Sequence, residues 1–313
     1  MKKVEIINNK FSEFPIGIFD SGLGGLTVVK EIINLLPNEN IIYLGDTARV
    51  PYGTKSRDTI IKYSIENTKF LLQKKIKILV VACNTASSYA IPTLKKMLKK
   101  IPVVGVIIPG SKKAFESTKN YKIGVIGTTA TIKSESYEKT ILNIAKTKNL
   151  KKRVKIYSQA CPLFVPLIEE GWMDKIYQEK YYKKNLKKDL KETFEYRMIN
   201  HENILRYVSS EYLLTLKQKG IDTLVLGCTH YPAIKKIIQD VIGENVSLID
   251  SAKETAKYVY EIISKNKWFN ISKNSVKPVF YVTDDPEKFK LIGSWLLQKN
   301  ISVVKKVNLE KFI

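Results

Sequence analysis

Short apolar runs rich in β-branched residues recur along the chain, at 16–19, 41–44, 78–82, 103–107, 123–126, 154–158, 223–226, 247–249 and 279–282. Most lack the polar alternation of a sheet with one wet face, which predicts strands buried on both faces. Longer amphipathic stretches lie between them, among them 27–36, 57–74, 88–99 and 251–265, and these predict helices. Strands that alternate with helices predict an α/β fold in which helices cover mainly parallel sheets.

The pattern is also duplicated. Ile16-Gly17-Ile18-Phe19 opens one series and Ile123-Gly124-Val125-Ile126 opens another. The first series reaches a buried run ending in Ala82-Cys83-Asn84-Thr85, and the second reaches one ending in Gly227-Cys228-Thr229-His230. Two pseudo-symmetric α/β domains follow, in keeping with about two domains for 313 residues. The second series is longer between its glycine and its cysteine, and the surplus falls in a Lys-, Tyr- and Glu-rich stretch near 172–210 that reads as an inserted helical element. Residues 1–14 form a polar extension before the first strand.

Composition changes this picture little. Hydrophobic residues make up 44%, enough for a sizeable core. The net charge is +23, which invites a nucleic-acid partner, but only five of the 53 basic residues are arginine. Arginine is the side chain suited to bidentate phosphate and base contacts, so the surplus reads as solvated surface lysine and argues against nucleic acid. Three cysteines, with no Cys-x-x-Cys and no Cys/His zinc spacing, exclude a disulfide framework and suggest no metal. The N-terminus lacks the apolar core of a signal peptide, and no apolar run is long enough to span a bilayer. A soluble cytoplasmic protein with free thiols is expected.

Ligands of open α/β sheets sit beyond the carboxyl ends of the strands, so polar residues just after buried strands are the first candidates. Asp20-Ser21-Gly22-Leu23-Gly24-Gly25 follows the first strand, and its backbone amides could cradle a small carboxylate. A dinucleotide fingerprint would want a glycine where Thr27 stands, which weakens a cofactor reading. Cys83 and Cys228 occupy matching strand ends, where a helix N-terminus stabilises a thiolate. Across a cleft they would approach one ligand from opposite sides, a geometry that removes a proton from one face of a carbon and returns one to the other. A redox disulfide and a Cys–His hydrolase using His230 are competing readings, and a basic binding module is the non-enzymatic one. Asp20 could instead cap a helix, Glu169 could be a solvated carboxylate, His230 could be structural, and Cys161 reads as a packing residue.

Five segments together resemble the glutamate racemases, members of the aspartate/glutamate racemase superfamily. They are 20–27, 45–53, 82–86, 161–169 and 227–232, and the resemblance covers roughly residues 15–265. It implies a cofactor-independent isomerase that interconverts L- and D-glutamate and supplies D-glutamate for peptidoglycan. A related racemase acting on aspartate or another amino acid is the alternative. By that resemblance Cys83 and Cys228 are the two acid/base residues, Asp20 tunes Cys83, and Glu169 and His230 assist Cys228. Asp20, Ser21, Tyr52, Gly53, Asn84, Thr85, Thr229 and His230 would line the substrate site. It also implies a discontinuous first domain, 1–108 plus 232–313, and a second domain at 109–231. The active site would lie in the cleft between them, glutamate would be the small-molecule partner, and a second copy of the chain is a candidate partner.

Overall fold

The structure, a computed structural model, describes residues 11–182, 188–271 and 278–312. Its first sheet contains β1 (Ile16–Asp20), β2 (Ile41–Gly45), β3 (Ile78–Val81) and β4 (Val103–Gly105). The second contains β5 (Lys122–Gly127), β6 (Lys155–Ala160), β7 (Thr223–Gly227) and β8 (Ser247–Asp250). The chain then returns to the first sheet with β9 (Val279–Val282) and β10 (Val304–Lys306). All pairings are parallel, in the orders β10-β9-β2-β1-β3-β4 and β6-β5-β7-β8.

The duplication in the sequence is therefore a duplication of topology. β2-β1-β3-β4 and β6-β5-β7-β8 have the same internal order, with the Ile-Gly strand (β1 or β5) beside the strand that leads into the cysteine (β3 or β7). β1, β3 and β7 are buried at every position, as expected of strands covered on both faces.

The helices are α1 (Leu26–Leu35), α2 (Arg57–Leu72), α3 (Asn84–Met97), α4 (Ile107–Ser117), α5 (Thr129–Lys133) and α6 (Ser136–Thr147). They continue with α7 (Phe164–Tyr182), α8 (Lys188–Gln218), α9 (Lys235–Ile242), α10 (Ser251–Asn266) and α11 (Pro286–Leu297). The surplus near 172–210 is helical, shared between α7 and the 31-residue α8, with 183–187 outside the described residues. Phe164, Ile168, Trp172 and Ile176 recur every four residues on α7 and bury one stripe against α8 and the β7 side. One continuous apolar cluster includes this stripe together with β1, β3, α1 and α10, so the two sheets share a core. Of the N-terminal extension, residues 11–14 are described, and Phe11 packs edge-on against Trp268 with ring centroids 4.9 Å apart.

Three expectations need correction. The boundary at 231 falls too early, because β8 pairs with β7 from Thr223↔Ser247 onward. β7-α9-β8 is an ordinary strand–helix–strand unit between neighbouring parallel strands, so the chain crosses back only after Asp250. The run at 103–107 does not stay extended; the strand ends at Gly105 and α4 starts at Ile107. α3 begins at Asn84, four residues before the predicted start, and that shift makes Cys83 its N-cap.

Candidate active site

Cys83 and Cys228 follow β3 and β7, the equivalent strands of the two sheets, and both are buried. Cys83 caps α3: its Sγ accepts from the Ala86 amide at 3.4 Å and lies 3.6 Å from Ser21 Oγ. Asp20 ends β1 beside it, fully buried, and accepts from the Gly22 amide at 2.9 Å. It is also held by the Gly25 amide, at the N-cap of α1. Burial pushes the Cys83 thiol up to about 12, the Asp20 charge adds to that, and the Ala86 amide and Ser21 hydroxyl act against it. Burial likewise raises Asp20, against the pull of His230 and the Gly22 and Gly25 amides. With like charge disfavoured on both groups, this side of the site holds a proton.

The other side carries the opposite charge. His230 Nδ1 lies 3.8 Å from Cys228 Sγ, and Nε2 lies 3.0 Å from Glu169 Oε1 on α7. The Trp172 indole, one turn further along α7, stacks on the imidazole with 5.2 Å between centroids and 17° between planes. Burial works against a charged imidazole here, but Cys228 and Glu169 outweigh it and raise His230 to about 10. Glu169 is lowered in spite of its own burial, by His230 and by the charge of Lys288.

The remaining expected residues gather around this pair with one exception. Asn84 Oδ1 accepts from the Tyr137 hydroxyl at 2.7 Å, which leaves Asn84 Nδ2 buried without a partner among the described residues. Thr85 Oγ1 lies 2.9 Å from Thr128 Oγ1 and 3.2 Å from Thr131 Oγ1, so the α3 N-terminus meets the segment after β5 across the two domains. Gly53 abuts the same Thr128: a Cβ on Gly53 would stand 2.7 Å from that of Thr128. The Thr229 carbonyl accepts from Thr27 Oγ1 at 3.2 Å. Tyr52 is the exception, because its side chain is buried inside the first domain, donating to Asp46 and accepting from Asn67. Cys161 is buried on the Cys228 side, close enough to feel that sulfur's charge, with its own Sγ 3.7 Å from the Gln159 carbonyl. A cavity of about 800 Å³ lies behind Trp172 and contains neither catalytic-candidate cysteine. A smaller one of about 180 Å³, lined by Gly22, Thr47, Val50, Glu169 and Lys288, opens beside the Asp20 turn.

Comparison with known proteins bears on the family. Residues 16–175 match the Asp/Glu/hydantoin racemase family. The chain is 44% identical to the glutamate racemase of Geobacter metallireducens, over 94% of this chain and 97% of that one. The chain belongs to the glutamate racemase family. It is 42% identical to the enzyme of Enterococcus faecalis, over 91% of this chain and 93% of that one. The solved glutamate racemase of Francisella tularensis, in complex with D-glutamate, superposes with a TM-score of 0.79 at 38% identity, covering 96% and 99% of the two chains. An amino-acid racemase, an isomerase, is thus the activity class of this chain. Among the described residues no helix is long and apolar enough to cross a membrane.

Side chains against the candidate site that sequence reasoning did not single out are Thr128, Thr131, Tyr137, Trp172 and Lys288. Thr128 directly follows β5 and satisfied the same strand-end rule that selected Cys83. Trp172 carried no signal beyond its place in an apolar stripe.

The raised His230 makes stability pH-dependent. Its value in the fold lies above the ordinary 6.5, so the fold keeps a proton that the unfolded chain releases. That stabilisation is complete below about pH 6.5 and is lost as pH rises towards about 10. Melting temperature should fall across this window, and less steeply in Glu169→Gln, which removes one of the two partners that hold the proton. Thermal melts of both proteins from pH 6 to 10 check this; equal slopes would contradict it.

Proposed function

We propose that this racemase interconverts L- and D-glutamate by a two-base mechanism without a cofactor, with Cys83 and Cys228 on opposite faces of the α-carbon. The observation that carries it is the pair of buried cysteines at equivalent strand ends, each with its own charged partner: Asp20 for Cys83, His230 with Glu169 for Cys228.

The chemistry follows from the partners. The α-hydrogen of an amino acid is weakly acidic, so the base must be strong and desolvated, and the carbanion must be short-lived. Cys83 holds its proton against Asp20 and stands as the acid of the resting site. Cys228 faces a protonated imidazole that can keep the proton it gives up. An enantiomer whose α-hydrogen faces Cys228 loses it to that sulfur and gains the Cys83 proton on the other face. The reverse direction exchanges the roles. Asn84 Nδ2, Ser21 and the Thr85 hydroxyl are donors for the substrate carboxylates, where charge builds in the transition state. The product would serve as D-glutamate for peptidoglycan synthesis in the cytoplasm.

The test is incubation of the purified protein with D-glutamate, D-aspartate or D-alanine in heavy water, read by the loss of the α-hydrogen signal and by the enantiomer formed. Exchange and racemisation of glutamate alone are expected. Exchange of aspartate instead would move the chain to the alternative substrate, and exchange of none would overturn the reading.

A further inference from the structure

The segment at 45–53 contains charged residues for which the proposed reaction has no use. Asp46 is fully buried, and Glu66 on α2 nearly so. Arg49 lies between them: its Nε is 3.0 and 2.8 Å from the two Asp46 oxygens, Nη2 is 2.8 Å from Oδ2, and Nη1 is paired with Glu66. The guanidinium also stacks over the Tyr63 ring, 3.9 Å from its centroid. Tyr52 donates to Asp46 and accepts from Asn67 at 3.1 Å, and Thr283 donates to Asp46 at 3.0 Å.

The local structure explains how these groups converge. Thr47–Arg49 and Tyr52–Thr54 are single tight turns, in which residues three apart share a side. Asp46 and Arg49 are spaced in this way across the first turn, and the extended Val50–Pro51 link brings Tyr52 in at the start of the second. Tyr63, Glu66 and Asn67 lie three and four apart, on one face of α2. Burying two carboxylates with one guanidinium is expensive in desolvation, and apolar packing would stabilise the fold at least as well. What a fully bonded network of this kind supplies is a single fixed geometry.

The loop that it fixes reaches the site at both ends. The Asp46 amide donates to the Asp20 carbonyl at 3.0 Å, beside the Cys83 partner. At the other end, Gly53 sits against Thr128, which bonds Thr85. We propose that Arg49, clamped between Asp46 and Glu66, is a positioning residue for substrate binding: it holds the 50–54 loop against the second domain so that the Gly53 edge of the cleft is preformed. The proposal rests on the glutamate racemase reading above and adds a role for residues that never touch the substrate.

The test uses Arg49→Met, Arg49→Lys and Glu66→Gln in the full chain. KM and kcat are measured with both enantiomers of glutamate, at least 20 °C below each variant's melting temperature. Amide hydrogen exchange of residues 46–55 is followed by mass spectrometry. Arg49→Met should raise KM about tenfold or more and change kcat by less than about threefold, because the loop orders the site without taking part in proton transfer. Arg49→Lys keeps the charge but not the fork, and should restore less than half of that loss. Glu66→Gln keeps an acceptor for Nη1 and should raise KM only about threefold. Exchange protection over 46–55 should fall about tenfold in Arg49→Met while that of α3 is unchanged.

Wild-type KM and wild-type protection in a folded Arg49→Met would overturn the clamp, as would a lower melting temperature with no change in either. If Arg49→Met does not fold, Arg49→Lys decides on the same two readouts. A wild-type protein inactive on glutamate would sink the substrate reading separately, and the exchange data would still decide whether Arg49 orders the loop.

Discussion

Replacing either Cys83 or Cys228 by alanine is expected to lower kcat/KM for glutamate by about 10²–10⁴-fold, the range lost when a positioned acid or base is removed. In the proposed reaction the two sulfurs act in every turnover, one taking and one giving a proton, so neither variant would retain a working direction. The equilibrium constant between enantiomers is one, so kcat/KM must fall equally from L- and from D-glutamate. Both substitutions remove one atom from a buried position and should leave a folded protein. Cys161→Ala is the control: it is equally buried, but its sulfur is bonded to the Gln159 carbonyl and has no part in the proposed proton transfers. Its melting temperature should drop while its rate stays near that of the wild type. Rates in both directions for the three variants decide this, and near-wild-type activity in Cys83→Ala or Cys228→Ala would refute the two-base assignment.

The second large effect comes from a residue with no side chain. Gly24, in the turn after Asp20, has no room for a Cβ: one built there would overlap Thr229 Oγ1 and stand 2.5 Å from His230 Nδ1. His230 cannot retreat, because Trp172 covers its face and Glu169 holds its far nitrogen. The turn or the imidazole must therefore move by about 1 Å. Displacement on that scale at a site of proton transfer costs about 10²-fold in rate. Gly24→Ala should accordingly lose about 10²-fold in kcat, and KM should rise as well, since Thr229 and His230 both belong to the expected substrate site. A Gly24→Ala enzyme with wild-type kcat would show that the His230 position is not critical. Loss of folding in this variant would be visible in its melt and is separable from the kinetic effect.

Much of this arrangement was legible before any coordinates. Parallel strands buried on both faces leave few polar residues near their ends, so Asp20, Cys83 and Cys228 stood out from sequence, and the internal duplication paired the cysteines. What stayed hidden depended on contacts between distant segments. Trp172 lies in a helical stripe with Phe164, Ile168 and Ile176, and that spacing says only that it is buried. That it stacks on His230 follows from how α7 meets the turn after β7. Tyr52 shows a different limit: its motif suggested a site residue, and only the fold shows that Asp46, six positions earlier, takes its hydroxyl into the interior. β10 has the sequence Val304-Lys305-Lys306, and as a partly exposed edge strand it offers no apolar run to detect. The early domain boundary had another origin: the strand at 247–249 was legible, but nothing in its sequence says which of the two sheets it joins.

The most direct test of the two-cysteine account is the destination of solvent deuterium early in the reaction. L- or D-glutamate is incubated with the wild-type protein in heavy water, stopped below about a tenth of full conversion, and the two enantiomers are separated and analysed by mass. With a different sulfur serving each face, the hydrogen delivered to the product comes from a thiol that has equilibrated with solvent, and the one removed goes to the other sulfur. Product should then carry deuterium at Cα from the first turnovers, while recovered substrate remains almost entirely protiated, from either enantiomer. Equal deuterium in recovered substrate and product, or product that keeps the original hydrogen, would mean that one group serves both faces and would contradict the account.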